Sequence, residues 1–295
     1  MKKSNNLLLS SSANKLAIGT VQFGLDYGIA NQNGQVNADG ILSILDFAYE
    51  NNINTLDTAK AYGESEKSIG KYLKQTKKTW SVITKVSDSN QSIIEQIQDS
   101  IERLTVRPTV VLAHSANLFL NPMFQSKLQE AKGNQLICSI GVSLYNEKEI
   151  NQVLDSELKP DVVQLPMNIL DTRLYHHGLL DDLFEKGIEI HVRSAFLQGL
   201  FYLSKPDLEE RFGDVILILD KLKSIAAKAE LTLAELSLLW LVSLEEVSKV
   251  VLGVDSKDQL KAHLKTLTKK VDSAVFEDAL CIHYENENIL NPSLW

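Results

Sequence analysis

The chain has 295 residues, of which 44% are hydrophobic and 23% charged, and it carries a net charge of −8. This is ample material for a core; the length is high for an ordinary domain and normal for a closed α/β barrel. The acidic balance argues against nucleic-acid binding, which draws on basic surface, and no run approaches the ~18 apolar residues of a membrane span.

In chain order, short β-rich runs alternate with amphipathic stretches. KLAIGT (15–20) reads as the first strand. A glycine-rich loop follows, then a helix over 38–52 with Ile41, Leu42, Leu45 and Ala48 at helical spacing and Asn37 as N-cap. INTLD (53–57) is the second strand, and SEKSIGKYLKQ is a helix with Ser65 as candidate cap. SVITKV (81–86), TVVLAH (109–114), LICSIGV (136–142), DVVQL (161–165) and IEIHVR (188–193) read as the next five strands. The helical patterns NQSIIEQIQDSIERL, NEKEINQVLDS and LYHHGLLDDLFEKG lie among them, the last stopping at Gly187. Residues 114–124 (HSANLFLNPMF) read as a loop. Two further helical stretches precede the eighth strand, SKVVLG (248–253), and the tail beyond about 269 reads as loop. Eight strands with helical crossovers predict a (β/α)₈ TIM barrel, a single domain spanning 1–295. An open doubly wound sheet alternates in a similar way, and counting does not separate the two.

Barrel chemistry sits at the C-terminal ends of the strands. Those ends carry Asp57, with Tyr62 in the following loop, then Lys85 and His114. A phenol has a pKa near ~10 and is a poor acid at neutral pH. A nearby ammonium favours phenolate, a carboxylate holds that ammonium in place, and an imidazole can orient a carbonyl oxygen. Together these groups suit protonation of a C=O oxygen as hydride reaches its carbon.

The stretch DTAKAYGESE (57–66) resembles the DTAxxYGxSE signature of the aldo-keto reductases. TKV (84–86) is similar to that family's catalytic-lysine strand and VVLAH (110–114) to its catalytic-histidine strand. The resemblance runs from GTVQFGLDYG (19–28) to VLGVDSKDQL (251–260). It implies a TIM barrel, nicotinamide-dependent reduction of a small-molecule carbonyl, and Asp57, Tyr62, Lys85 and His114 as the catalytic four, with Tyr62 the general acid. Gly19 and Thr20 would then lie under the cofactor. Ser143, Gln164 and Asn168 match the family's residues for the nicotinamide amide, with Leu144 where asparagine is usual. RSAFLQGLF (193–201) is similar to the family's YSPLGxGxL segment, bringing Ser194, Phe196, Leu197, Gln198 and Gly199 to the cofactor. Arg193 replaces an aromatic that stacks on the nicotinamide, a role a planar guanidinium can also fill. VLGVDSKDQL is similar to the loop that grips the adenosine and phosphate end, through Gly253, Val254, Ser256 and Gln259. Asp255 stands where relatives often place a basic residue, with Lys257 available to compensate, and His263 stands where asparagine or an acid is common. On this reading NADPH is favoured, with NADH as the second candidate.

Two other readings use the same residues: a Schiff-base aldolase with Lys85 as nucleophile, or a non-catalytic regulatory subunit that binds the cofactor. The histidines show no metal-ligand spacing, and His176 and His177 read as surface residues. Cys138 and Cys281 form no C-x-x-C pair, so no zinc or dithiol site is predicted. The apolar stretch in MKKSNNLLLSSSANK is too short for a signal-peptide core. The expectation is a cytoplasmic monomer or small homo-oligomer without nucleic-acid or membrane partners. Trp295 either covers the pocket or frays.

Overall fold

The computed structural model describes residues 12–295, so the signal-peptide reading, which concerns the first residues, falls largely outside it. Eight strands form the frame: β1 (Leu16–Gly19), β2 (Thr55–Asp57), β3 (Ser81–Val86), β4 (Val110–Ala113), β5 (Ser139–Ser143), β6 (Val162–Pro166), β7 (Glu189–Arg193) and β8 (Val247–Gly253). Each pairs in parallel with the next, and β8 pairs with β1, giving a closed barrel rather than an open sheet. The register carries Gly19 opposite Asp57, Lys85 opposite Leu112, and Ser143 opposite Gln164.

Strand side chains alternate between two faces. Outward residues such as Leu16, Ile18, Val82, Val111, Val163 and Ile190 are buried beneath the helices. Full burial of each such side chain contributes about 1.5–3 kcal/mol. Ile83, Val110, Leu112 and Val162 form a separate apolar cluster on the opposite faces of β3, β4 and β6. Gly141 makes that cluster possible: a Cβ there would lie 2.3 Å from Leu112 Cδ2 and 2.5 Å from the Val162 carbonyl oxygen. Two residues further along the same faces come Lys85, His114, Ser143 and Gln164. The apolar layer is therefore the floor on which the polar residues stand.

Local signals fix most helix starts. The Asn37 side chain accepts from the Gly40 amide at the head of Ala38–Glu50, and Ser92 with Glu95 forms a capping box before Ile93–Leu104. Gly187 follows Leu179–Glu185 with φ +71°, the left-handed stop that its sequence position predicts. Ser65 differs from expectation. It is the first residue of Ser65–Thr76, preceded by Glu64 at the cap position, and its hydroxyl donates to the Thr20 carbonyl (2.8 Å) instead of capping.

Two segments read as loops are helical. Ser115 caps Ala116–Phe119, and Asn121 caps Pro122–Gly133 with proline at its first position. The tail holds Ser273–Leu280, a turn at Glu287–Leu290 and a 3₁₀ turn at Pro292–Leu294. Trp295 packs its ring 4.8 Å from that of Phe212, and its Nε1 donates to the Asn288 carbonyl. No helix among the described residues is long and apolar enough to cross a membrane.

Candidate active site

Asp57 ends β2, Lys85 lies near the end of β3, and His114 follows β4 directly. Barrel closure brings all three to one rim, and the loop after β2 carries Tyr62 to the same place. Lys85 Nζ donates to Asp57 Oδ1 (2.6 Å) and to the Thr58 carbonyl (2.9 Å). Gln164 Nε2 takes the other Asp57 oxygen at 2.7 Å. Asp57 and Lys85 are 4% and 2% exposed, so their charges depend on each other rather than on water. Burial alone disfavours the ammonium, but the Asp57 carboxylate and the Tyr62 phenol outweigh it, and the Lys85 pKa is raised. Its nitrogen lies 5.1 Å from the Tyr62 ring centroid.

His114 sits edge-on to Tyr62, with ring centroids 6.5 Å apart. Burial first, then the cations Lys85 and Arg193, lower its pKa to about 4. At neutral pH it is an uncharged imidazole, able to donate one N–H toward an oxygen held beside Tyr62.

The loop bearing Tyr62 is fixed from below. Thr20 Oγ1 donates to the Asp57 carbonyl (2.9 Å), and Ser65 Oγ lies within 3.0 Å of both Thr20 Oγ1 and Thr58 Oγ1. Buried Glu66 accepts from Thr84 (2.7 Å). Gly24 crosses directly over the loop, where a Cβ would lie 1.8 Å from the Tyr62 carbonyl oxygen. Gly63, at φ +56°, also packs against the Gly24 carbonyl, where a Cβ would lie 2.6 Å from its oxygen.

The residues expected at the cofactor line the ends of β1, β5, β6, β7 and β8. Ser143 and Gln164 are adjacent and buried. Gln164 Oε1 has no partner among the described residues and is shielded from solvent, which leaves an acceptor suited to a carboxamide N–H₂. Asn168 serves the backbone: it accepts from the amides of Leu170 and Asp171 and donates to the Ser194 carbonyl. Ser194, Leu197, Gln198 and Gly199 have left-handed backbone, so the segment after β7 coils tightly around Phe196. Gly253 lies against Gln22, whose Oε1 is also buried and unpartnered. Ser256 caps Lys257–Thr266 by accepting from Gln259. Val254 is buried beneath that turn, and Gly19 pairs with Gly253 across β1 and β8.

Arg193 ends β7 half-buried, with its guanidinium carbon 4.3 Å above the Tyr145 ring. Its contacts to the Leu144 carbonyl and to Ser194 Oγ are both long, at 3.4 Å. The Lys257 ammonium lies over the Phe47 ring (5.1 Å), on the helix Ala38–Glu50. Asp255 is held by Gln259, which accepts from its amide (2.8 Å) and donates to Oδ2 (3.3 Å). Oδ1 stays buried without a partner, and burial raises the carboxyl pKa. His263 stacks on Phe196 with ring centroids 4.9 Å apart, and burial lowers its pKa to about 4.

Sequence reasoning did not assign roles to Tyr27, Tyr145 or Gln22. Tyr27 stands in the loop after β1; burial, and then the neighbouring Tyr62 phenol, push its pKa up to about 12 against the pull of Arg193. The signal was present in LDYG, a tyrosine beside a glycine that adopts φ +104°.

Comparison with known proteins agrees with this fold. NADH-specific methylglyoxal reductase of Escherichia coli (strain K12) is 24% identical over 304 residues, covering 88% of this chain and 91% of that protein. The holo form of aldo-keto reductase AKR11C1 from Bacillus halodurans superposes with a TM-score of 0.74 at 22% identity, covering 92% of this chain and 94% of that one. An aldo/keto reductase from Klebsiella pneumoniae, solved in complex with NADP and acetate, gives a TM-score of 0.68 at 14% identity, over 90% of this chain and 89% of that one. These similarities establish the shared fold. Residues 15–279 match the sequence profile of the Aldo/keto reductase family, and the chain belongs to that family of NAD(P)H-dependent oxidoreductases.

Proposed function

We propose that the chain reduces an aldehyde or ketone to an alcohol, with Tyr62 as general acid and Lys85, Asp57 and His114 supporting it. The observation that carries this reading is the buried Lys85–Asp57 pair at 2.6 Å, its ammonium facing the Tyr62 ring. A carbonyl oxygen beside Tyr62 gains negative charge as its carbon is reduced. The Tyr62 hydroxyl gives it a proton, and the phenolate left behind is stabilised by the Lys85 ammonium. Neutral His114 orients the same oxygen without competing as a proton donor of low pKa. Asp57, fixed by Gln164, keeps the ammonium charged and in place.

A reduced nicotinamide, when bound, supplies the hydride. Gln164 and Ser143 would hold its carboxamide, and the turns at Ser194–Gly199 and Gly253–Gln259 its remaining length; the free Gln164 oxygen supports that fit. The Schiff-base alternative needs a neutral amine, and Lys85 is held as an ammonium.

For the cofactor, we favour NADH over the NADPH that the family resemblance suggests. Asp255 offers an uncompensated carboxylate oxygen, since Lys257 turns toward Phe47 and His263 is uncharged at neutral pH. Such a carboxylate repels a 2′-phosphate and accepts from a 2′-hydroxyl. The NADH specificity of the methylglyoxal-reducing relative is in keeping with this choice.

The test is consumption of NADH and NADPH in the presence of dicarbonyls, aldehydes and ketones, with the alcohol identified by mass spectrometry. Carbonyl-dependent NADH oxidation is expected. No turnover, together with borohydride trapping of a carbonyl on Lys85, would transfer the assignment to the aldolase. For the cofactor choice, fluorescence titration of Asp255→Asn should narrow the NADH preference at least several-fold. An unchanged ratio of dissociation constants would remove Asp255 from cofactor selection.

A further inference from the structure

Arg193 has the least satisfied charge at the catalytic rim. Its guanidinium carries five N–H donors, yet its contacts are two long ones, to the Leu144 carbonyl and Ser194 Oγ, both at 3.4 Å. Among the described residues it forms no ion pair. A half-buried cation without a counter-charge is costly, and this one is held in place by stacking on Tyr145 rather than left free to reach solvent. The other charges at the centre cancel: Asp57 neutralises Lys85, and His114 is uncharged at neutral pH. Arg193 ends β7 on the rim that also carries Asp57, Lys85 and His114, and its charge contributes to lowering the His114 pKa.

We propose that Arg193, stacked on Tyr145, is the receptor for an anionic group on the substrate, so that the enzyme selects carbonyl compounds bearing a carboxylate or phosphate. This inference rests on the carbonyl-reductase reading above and adds a substrate class to it. A guanidinium fork matches either oxyanion, and a charge-assisted pair there supplies the counter-charge that the fold lacks. It also fixes the carbonyl relative to Tyr62, so the effect belongs mainly in KM and in discrimination between substrates.

The experiment compares matched pairs, glyceraldehyde 3-phosphate with glyceraldehyde and succinic semialdehyde with butanal, in the wild type, Arg193→Gln and Arg193→Lys. The expected result is a kcat/KM at least ten-fold higher for the charged member of at least one pair. The charged-to-neutral ratio should fall at least ten-fold in Arg193→Gln and recover in part in Arg193→Lys. Which pair responds distinguishes a phosphate from a carboxylate. Calorimetric titration of the NADH-loaded enzyme with malonate needs no turnover. Saturable binding that Arg193→Gln weakens ten-fold would support the anion site even if the reductase reading failed. A preference for the neutral members, or malonate binding indifferent to Arg193, would overturn it. Loss of NADH affinity in Arg193→Gln with an unchanged charged-to-neutral ratio would also overturn it, assigning the guanidinium to the cofactor.

Discussion

Lys85 carries its charge where the barrel admits almost no water, and it does so because Asp57 is 2.6 Å away. Removing one member of such a pair leaves the other buried and uncompensated, at a cost of about 3–5 kcal/mol. Lys85→Met should therefore lower the denaturation midpoint markedly as well as abolish reduction. The double variant with Asp57→Asn should regain stability without regaining activity. Equal stabilities of the single and double variants by chemical denaturation would show that the pair is not coupled. At this scale much of the candidate site's geometry was legible. Asp57, Lys85 and His114 stand at strand ends, where period-2 alternation and strand order are enough to bring them together. The role of Gln164 in fixing Asp57 was not legible, because the two are 107 residues apart and the contact exists only once the barrel closes. The orientation of Lys257 was equally hidden: its partner ring, Phe47, lies on a helix early in the chain.

The loops that shape the site are held by close backbone approach as well as by side-chain hydrogen bonds. Gly24 and Gly63 lie against each other, and Gly199 lies against Ala30 while the Ile29 amide donates to the Gln198 carbonyl (3.0 Å). A methyl at Gly24 collides with the Tyr62 carbonyl, which cannot move without moving the phenol. Gly24→Ala is expected to reduce kcat at least ten-fold while leaving the far-ultraviolet circular dichroism of the barrel intact. Gly133→Ala is the control, since a Cβ at Gly133 meets nothing within 4 Å. Similar activity in both variants would contradict this account of the loop. Strands and long helices were readable because their periodicity is strong. The helices at 116–119 and 122–133 were missed even though Ser115, Asn121 and Pro122 are good start signals, because mixed apolar and polar residues in that stretch obscure the helical period. In the tail, short turns depend on docking against the barrel, as Trp295 does on Phe212.

For the molecule as a whole, folding half-buries imidazoles along with burying its apolar residues. His114 and His263 both fall from an ordinary 6.5 to about 4, chiefly through burial. The unfolded chain therefore binds protons at these positions as pH drops below about 6.5, while the folded chain resists until about 4. Stability is lost across that window on acidification. The thermal midpoint should decline from pH 7 to pH 4.5, and His263→Phe, which keeps an aromatic ring on Phe196, should flatten the decline. An identical pH profile for that variant would show that His263 does not contribute. Barrel closure itself lay beyond counting strands. It rests on the β8–β1 pairing, which only the three-dimensional register reveals. Closure is also what turns eight separate strand ends into one rim.

The most direct measurement is single-turnover oxidation of enzyme-bound NADH by a reactive carbonyl, followed by absorbance in the wild type and in Tyr62→Phe, with NADH affinity measured alongside. General acid catalysis is worth about 10²–10⁴-fold. The account predicts a loss in that range with the NADH dissociation constant changed by less than about three-fold. A phenylalanine variant that oxidises bound NADH at the wild-type rate would contradict the assignment of Tyr62 as the proton donor.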